Sequence, residues 1–254
     1  MTPAPVTTHG VNWARHAFLH LVARPLAAVF TGADVIGAGN LPKAGPAIIA
    51  ANHNSHVDTL LLLTIFPARL IGRLRPVAAA DYFLRGPVIG WFSRSLVGIV
   101  PISRQGSTHE GGGREDVLAP AREALAAGDI VIIFPEGTRG AATDELGPMK
   151  AGVARLAAAF PGAPVIPVWI EGAGRVLPKG AFLPAPLNCT VLVGEASRWC
   201  GDRDRFLETL RTSLEGLRKS APPQRWLEDQ PADPHLTSAA AAASAPPPPP
   251  SQDS

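Results

Sequence analysis

A histidine and an aspartate stand five residues apart in Asn52-His53-Asn54-Ser55-His56-Val57-Asp58, directly after the apolar run Pro46–Ala51. A carboxylate beside an imidazole fixes its tautomer and stabilises the protonated ring. Such a dyad makes a general base toward a hydroxyl. On one unbroken helix five residues turn through about 500°, which leaves the two side chains about 140° apart. They can meet only if the segment bends, for example at a loop-to-helix junction. The apolar strand before them and the apolar helix Thr59–Phe66 after them supply that junction. The same residues also fit a solvated surface, and His53, His56 and Asp58 fit a three-ligand metal site, although no further ligand cluster accompanies them.

Two more segments place polar chemistry at the exit of an apolar run. Gly98-Ile99-Val100-Pro101-Ile102-Ser103-Arg104 ends on an arginine whose guanidinium could grip a phosphate bidentately or sit on a solvated rim. Phe134-Pro135-Glu136-Gly137-Thr138-Arg139 follows the apolar strand Asp129–Phe134. A glycine there permits close backbone approach to a ligand. Glu136 can bind hydroxyls and Arg139 a phosphate. Lys150 opens the next helix, where it fits an anion or a pairing with Glu145. Ligands of α/β sheets gather at the carboxyl ends of strands, so three polar strand ends point to one site.

The elements that must position these residues follow from periodicity. Strands are expected at 46–51, 76–80, 99–102, 129–134, 165–170 and 190–193. Helices are expected over Asn12–Arg24, Arg114–Ala127 (stopped by Gly128), Lys150–Phe160 and Asp202–Lys219. Strands alternating with helices predict an α/β layered sheet. In the first helix Asn12, His16, His20 and Arg24 recur every four residues as a polar stripe, with Ala14, Phe18, Leu21 and Val22 opposite and Trp13 and Ala17 flanking. Pro25 is expected to end or kink it. That helix fits either packing on the domain or lying in a lipid head-group layer. Gln105–Gly113 is polar and glycine-rich, hence a loop.

The 254 residues fit one α/β domain with decorations, or at most two small domains, and 46% are hydrophobic, enough for a large core. The segment from Ala221 holds an alanine run and five consecutive prolines, Pro246–Pro250, a composition expected to be disordered. With Arg225 against Glu228, Asp229, Asp233 and Asp253 it carries three net negative charges, so the +2 of the whole chain is +5 over residues 1–220. A mildly basic body suits anionic head groups or lipid, and no nucleic-acid motif accompanies it. Two cysteines, Cys189 and Cys200, make no disulfide framework and fit a reducing cytoplasm. No secretory signal stands out, and no stretch reaches the roughly 18 to 20 apolar residues that span a bilayer. The expected organisation is a flexible lead with an amphipathic, membrane-associating helix over 1–32, a catalytic domain over 33–220 and an Ala/Pro-rich tail over 221–254.

Together these segments resemble the glycerolipid acyltransferase family typified by lysophosphatidic acid acyltransferase. The resemblance rests on N-H-N-S-H-V-D at 52–58, G-I-V-P-I-S-R at 98–104, F-P-E-G-T-R at 134–139, V-I-P-V at 165–168 and Lys150-Ala151-Gly152. Their order and spacing look like the family's blocks and cover roughly residues 40–200. Pro101 stands where many members carry an aromatic or aliphatic residue; Gly98 and Arg104 frame it as the pattern requires.

The resemblance implies a layered mixed sheet flanked by helices. It implies that His53 is the general base and Asp58 its orienting partner, and that Arg104, Glu136, Gly137, Thr138, Arg139 and Lys150 bind substrate. Val165–Val168 would be a strand shaping the acyl pocket or the core. The expected reaction moves an acyl group from acyl-CoA or acyl carrier protein to a lysophospholipid, with no metal and no organic cofactor. The expected location is the cytoplasmic face of a bacterial inner membrane, held peripherally or monotopically. No nucleophile elbow G-x-S-x-G is present in the sequence, so direct transfer is expected over an acyl-enzyme. Three rivals stay open: another acceptor (glycerol-3-phosphate, lyso-ornithine lipid or another lysophospholipid), a non-catalytic membrane adaptor on the same scaffold, and a metal-dependent hydrolase.

Overall fold

The computed structural model describes residues 12–55, 57–79, 86–102, 116–137, 146–176 and 188–222. Among the described residues seven strands form one sheet: β1 Asp34–Ile36, β2 Ala47–Ala51, β3 Leu74–Ala79, β4 Val100–Ile102, β5 Ile130–Ile133, β6 Val165–Glu171 and β7 Thr190–Val193. Their order is β1-β7-β6-β2-β5-β3-β4. The run β6-β2-β5-β3-β4 is parallel, β7 turns antiparallel to β6, and β1 pairs parallel to β7. The sheet is therefore mixed, as expected. Its five parallel strands end on one edge, which gathers the polar exits of β2, β5 and β6.

The central strands are apolar at every position because both faces of the sheet are covered. Alternate residues sort into two cores. Ala47, Ile49, Ala51, Ile130, Ile132, Ile166, Val168 and Ile170 face one side. There they meet Leu19 and Ala23 of the N-terminal helical stretch, Leu61, Leu62 and Leu63 of α3, Val57–Ile65, and Phe66 just after it. Ile48, Ala50, Val131, Ile133, Val165 and Trp169 face the other. They meet three helices, Ala119–Ala126, Gly152–Ala159 and Arg203–Lys219. The last helix starts at an Asp202 N-cap whose side chain accepts from the Arg205 amide, and it buries Phe206, Leu210 and Leu214. The segment Val165–Val168 is thus core strand, buried throughout.

Of the two outcomes expected at Pro25, the helix does not end but its regular winding breaks: α1 (Trp13–Phe18) passes through a π turn (Leu19–Ala23) into α2 (Arg24–Thr31). In a plain α-helix the Pro25 ring would press on the Leu21 carbonyl. The wider turn, closed by Arg24 N–H on the Leu19 carbonyl, absorbs that conflict. The burial is also inverted relative to an ordinary amphipathic helix. Arg15 is 3% exposed and donates from Nη2 to the carbonyls of Leu74 (2.7 Å) and Val97 (3.0 Å). Burial first, then the nearby Arg75, lowers its pKa to about 9, with Asp129 opposing; it stays charged at neutral pH. Arg24 donates to the Phe66 carbonyl and meets His20 Nδ1 at 3.0 Å. Trp13 (78%) and Leu21 (75%) face outward with Val22, Leu26 and Val29.

Trp91 and Phe92 are exposed as well, and the Phe92 ring meets that of Phe18 edge-on. They belong to Pro87–Phe92, which Pro87 opens and a second π turn, Ser93–Val97, continues. Among the described residues no helix is long and apolar enough to cross a membrane. Not foreseen were β1, the 3-10 turns Ala38–Asn40 and Ala68–Arg73, the helical run from Pro87 to Val97 and the short helix Ala173–Val176. The helix expected over Arg114–Ala127 is shorter, Ala119–Ala126, with Pro120 in its first turn. The lead through residue 11, the loop 105–113 and the tail beyond Pro222 lie outside the described residues.

Two measurements check this packing. Phe206 is 2% exposed and its ring lies 5.5 Å from that of Trp199. Phe206→Ala is expected to lower unfolding free energy by about 3–5 kcal/mol, read as a urea midpoint shift with unchanged slope. Burial, then His20 and Arg15, lowers the pKa of His16. A depressed folded-state pKa means that stability is fully present above the ordinary value of about 6.5 and is lost as pH falls below it. Melting temperatures followed downward from pH 7.5 should fall more steeply for the native chain than for His16→Asn.

Candidate active site

β2 carries the chain out of the sheet centre at Ala51, and three residues then fix the exit. Asn52, 1% exposed, lays its side-chain amide along β6: Oδ1 accepts from the Ile170 N–H at 2.7 Å and Nδ2 donates to the Ile170 carbonyl at 2.9 Å. Its side chain thus pairs like one more strand residue where β2 stops. His53 follows, and α3 begins at Val57, placing Asp58 in the helix's first turn. The bend required by the spacing is present, and His53 Nδ1 lies 3.0 Å from Asp58 Oδ2.

Asp58 is 1% exposed. The same Oδ2 accepts the backbone N–H groups of Asn54 (2.7 Å) and Ser55 (2.8 Å). A carboxylate at a helix N-terminus is favoured by the dipole and by free N–H groups. Facing an ionised carboxylate, Nδ1 carries the proton, which leaves Nε2 as the acceptor. The His53 ring stacks on Phe134, centroids 4.1 Å apart and planes 22° from parallel. Its side chain keeps 19% of its surface exposed, enough for Nε2 to reach a substrate while its other edge is held. The arrangement has the geometry that a general base with an orienting group requires.

Glu136 is placed at the site but points inward. It is 4% exposed; Oε1 accepts the His53 N–H at 3.1 Å and Oε2 accepts the Gly147 N–H at 3.0 Å. Its carboxylate therefore ties the exit of β2 to the segment 146–150, a role that the sequence did not indicate. Gly137 has φ +68°, and a Cβ there would meet the Lys150 side chain at 2.7–2.9 Å. The glycine both makes the turn and lets Lys150 lie flat against it. Lys150 itself donates its backbone N–H to the Pro135 carbonyl at 2.8 Å, and its side chain is exposed.

His53, Asp58, Glu136, Gly137 and Lys150 are thus brought to one edge of the sheet. Arg104, Thr138 and Arg139, with His56 and the Glu145 partner considered for Lys150, lie outside the described residues. Among the described residues no three His, Cys, Asp or Glu side chains form a metal-ligating group. Asn52 and Phe134 were not singled out. Asn52 stood in the quoted motif as a neighbour of the histidine, but nothing local reveals that its partner is Ile170, over a hundred residues away.

The Asn52 clamp predicts its own cost. Asn52→Ala removes two buried hydrogen bonds and is expected to destabilise by about 2–3 kcal/mol, measured by chemical denaturation. Asn52→Asp, which keeps the acceptor and turns the donor into a second acceptor facing the Ile170 carbonyl, should recover little of it.

The Acyltransferase family model matches residues 32–171, more than half of the chain. The chloroplastic 1-acyl-sn-glycerol-3-phosphate acyltransferase BAT2 of Brassica napus is 32% identical over 172 residues, covering 66% of this chain and 46% of the relative. A 1-acyl-sn-glycerol-3-phosphate acyltransferase of Pseudomonas aeruginosa is 28% identical over 204 residues, covering 80% of this chain and 72% of the relative. The chain spans about half the length of the first of these curated relatives. The crystal structure of the 1-acyl-sn-glycerophosphate acyltransferase PlsC from Thermotoga maritima superposes with a TM-score of 0.63 at 24% identity, covering 84% of both chains, and shares the fold. With the family match spanning β1 to β6, the chain belongs to the glycerolipid acyltransferase family.

Proposed function

We propose that this protein transfers a fatty acyl group from the thioester of coenzyme A or acyl carrier protein to the sn-2 hydroxyl of 1-acylglycerol-3-phosphate, giving phosphatidic acid. The observation that carries this reading is the buried Asp58 holding His53 by Nδ1 at 3.0 Å, at the sheet edge where Lys150 is exposed. Relatives bearing the name of that activity support the acceptor.

In the proposed step His53 Nε2 takes the proton of the acceptor hydroxyl as its oxygen bonds to the thioester carbonyl carbon. Asp58 stabilises the imidazolium that forms. The tetrahedral intermediate then breaks its carbon–sulfur bond, and the thiolate leaves with the proton from His53. A thioester is already activated, so the protein has only to position, deprotonate and stabilise charge, and the step requires neither metal nor organic cofactor. Lys150 with Arg104, Thr138 and Arg139 holds the acceptor's phosphate. Glu136 and Gly137 contribute by shaping the turn that presents Lys150.

The lipid acceptor also gives a reason for the outward apolar face of Trp13, Leu21, Val22, Leu26, Val29, Trp91 and Phe92. Exposed apolar side chains in one patch mark an interaction surface, and tryptophan suits the head-group layer. The protein sits on the membrane by this face, peripherally or monotopically. The proposed placement is the cytoplasmic face of a bacterial inner membrane.

The test of the reaction is thiol release from an oleoyl thioester with and without lysophosphatidic acid. Acceptor-dependent release is expected, falling at least about a thousandfold in His53→Ala. Release without acceptor would mark a thioesterase, and equal rates with acceptors lacking phosphate would remove the role given to Lys150. For the membrane, full-length protein should float with anionic liposomes and the double variant L21E/L26E should not. Equal flotation of both would sink the docking face.

A further inference from the structure

The match to the family model ends at residue 171, yet the C-terminal helix Arg203–Lys219 reaches back to the site. Arg211 lies on that helix. Its Nη2 donates to the Leu146 carbonyl and its Nη1 to the Gly147 carbonyl, each at 3.3 Å. Glu215, one turn on, pairs with its Nε at 3.0 Å and sets the direction of the guanidinium. The planar fork thus spans two successive carbonyls with separate nitrogens.

The peptide it grips is held from the other side as well. Glu136 Oε2 accepts the Gly147 N–H at 3.0 Å, and a Cβ on Gly147 would come within 2.8 Å of that oxygen. The Gly147 peptide unit is therefore clamped between a carboxylate that also takes the His53 N–H and a guanidinium from the last helix. Three residues later the Lys150 N–H donates to the Pro135 carbonyl at 2.8 Å, and its side chain crosses Gly137. A short segment tied at both ends has few ways to move, so the clamp fixes where the Lys150 ammonium starts.

We propose that Arg211 is a positioning residue for acceptor binding: through the Leu146 and Gly147 carbonyls it sets the segment that presents Lys150 to the acceptor's phosphate. The C-terminal helix is thereby part of the working enzyme as well as a cover for the sheet. The inference rests on the acceptor reading given above. It differs from a packing role, since Phe206, Leu210 and Leu214 supply the packing of that helix.

The experiment uses the full chain, with Arg211→Met keeping the aliphatic stem and removing the fork, Lys150→Ala, and the double variant. The Michaelis constant for lysophosphatidic acid is expected to rise about tenfold in Arg211→Met, the loss of about 1.4 kcal/mol of binding. The donor's Michaelis constant and the melting temperature should stay near those of the native chain. The double variant should match Lys150→Ala alone, because the two residues act through one another. Multiplying effects, or equal changes in both Michaelis constants, would overturn the proposal. Amide hydrogen exchange across residues 146–150 is read in parallel and needs no activity. Faster exchange there in Arg211→Met, with β2 and β5 unchanged, is expected; unchanged exchange would overturn the clamp. If the native chain acylates no lysophosphatidic acid while exchange responds as expected, the acceptor reading falls, and with it the role in acceptor binding; the clamp alone stands.

Discussion

One carboxylate oxygen, Asp58 Oδ2, receives the His53 ring N–H and two backbone amides. A buried carboxylate is costly unless donors surround it, and here the donors exist only if the chain turns from strand to helix within a few residues. The site geometry and the local fold are therefore one requirement. The helix supplies the dipole, the strand supplies the fixed starting point, and the low dielectric between two apolar cores strengthens each bond. The parallel arrangement of β2, β5 and β6 puts the neighbours of that junction on the same edge.

Around this junction the contacts are mostly backbone to side chain across long sequence distances. Asn52 joins β2 to β6, Glu136 joins the exit of β2 to the return segment at Gly147, and Phe134 lies under the imidazole. Each is a short, buried polar or aromatic group with few rotamers left to it. Preorganisation of this kind keeps a base aimed without reorganisation during reaction. Glu136, read from its chemistry as a ligand for hydroxyls, instead turns its carboxylate inward, where the backbone N–H groups of His53 and Gly147 find their acceptor in it.

The N-terminal helical stretch follows a different constraint. Its charged and polar residues face the body, where Arg15 and Arg24 are met by backbone carbonyls at the ends of other elements. Arg15 also occupies the space that a side chain at Gly98 would need, so the glycine opening the second block serves a cation from the first helix. With these cations taken inside beside Leu19 and Ala23, the outside is left to Trp13, Leu21, Val22, Leu26 and Val29. A proposed lipid surface accounts for that inversion, which a purely water-exposed helix does not.

Much of this was legible in the sequence. Uninterrupted apolar runs at 47–51, 130–133 and 165–170 can only be strands covered on both faces, and the spacing of His53 and Asp58 demanded a bend between a strand and a helix. Gly128 and Asp202 marked their helix boundaries because a left-handed turn and an N-cap are local chemistry. Pro25 marked a break in the regular winding, but its form, a π turn over Leu19–Ala23 with both of these residues buried, was not legible locally. Sequence by itself determined the element types, the dyad and the family, since each depends on neighbours within a few residues or on a recurring motif. Only the tertiary structure decided that the first helix faces its cations inward, that Glu136 braces backbone, and that Arg211 meets Gly147. Those outcomes depend on which unpaired backbone groups lie opposite a side chain once the sheet has formed, and no local pattern records that.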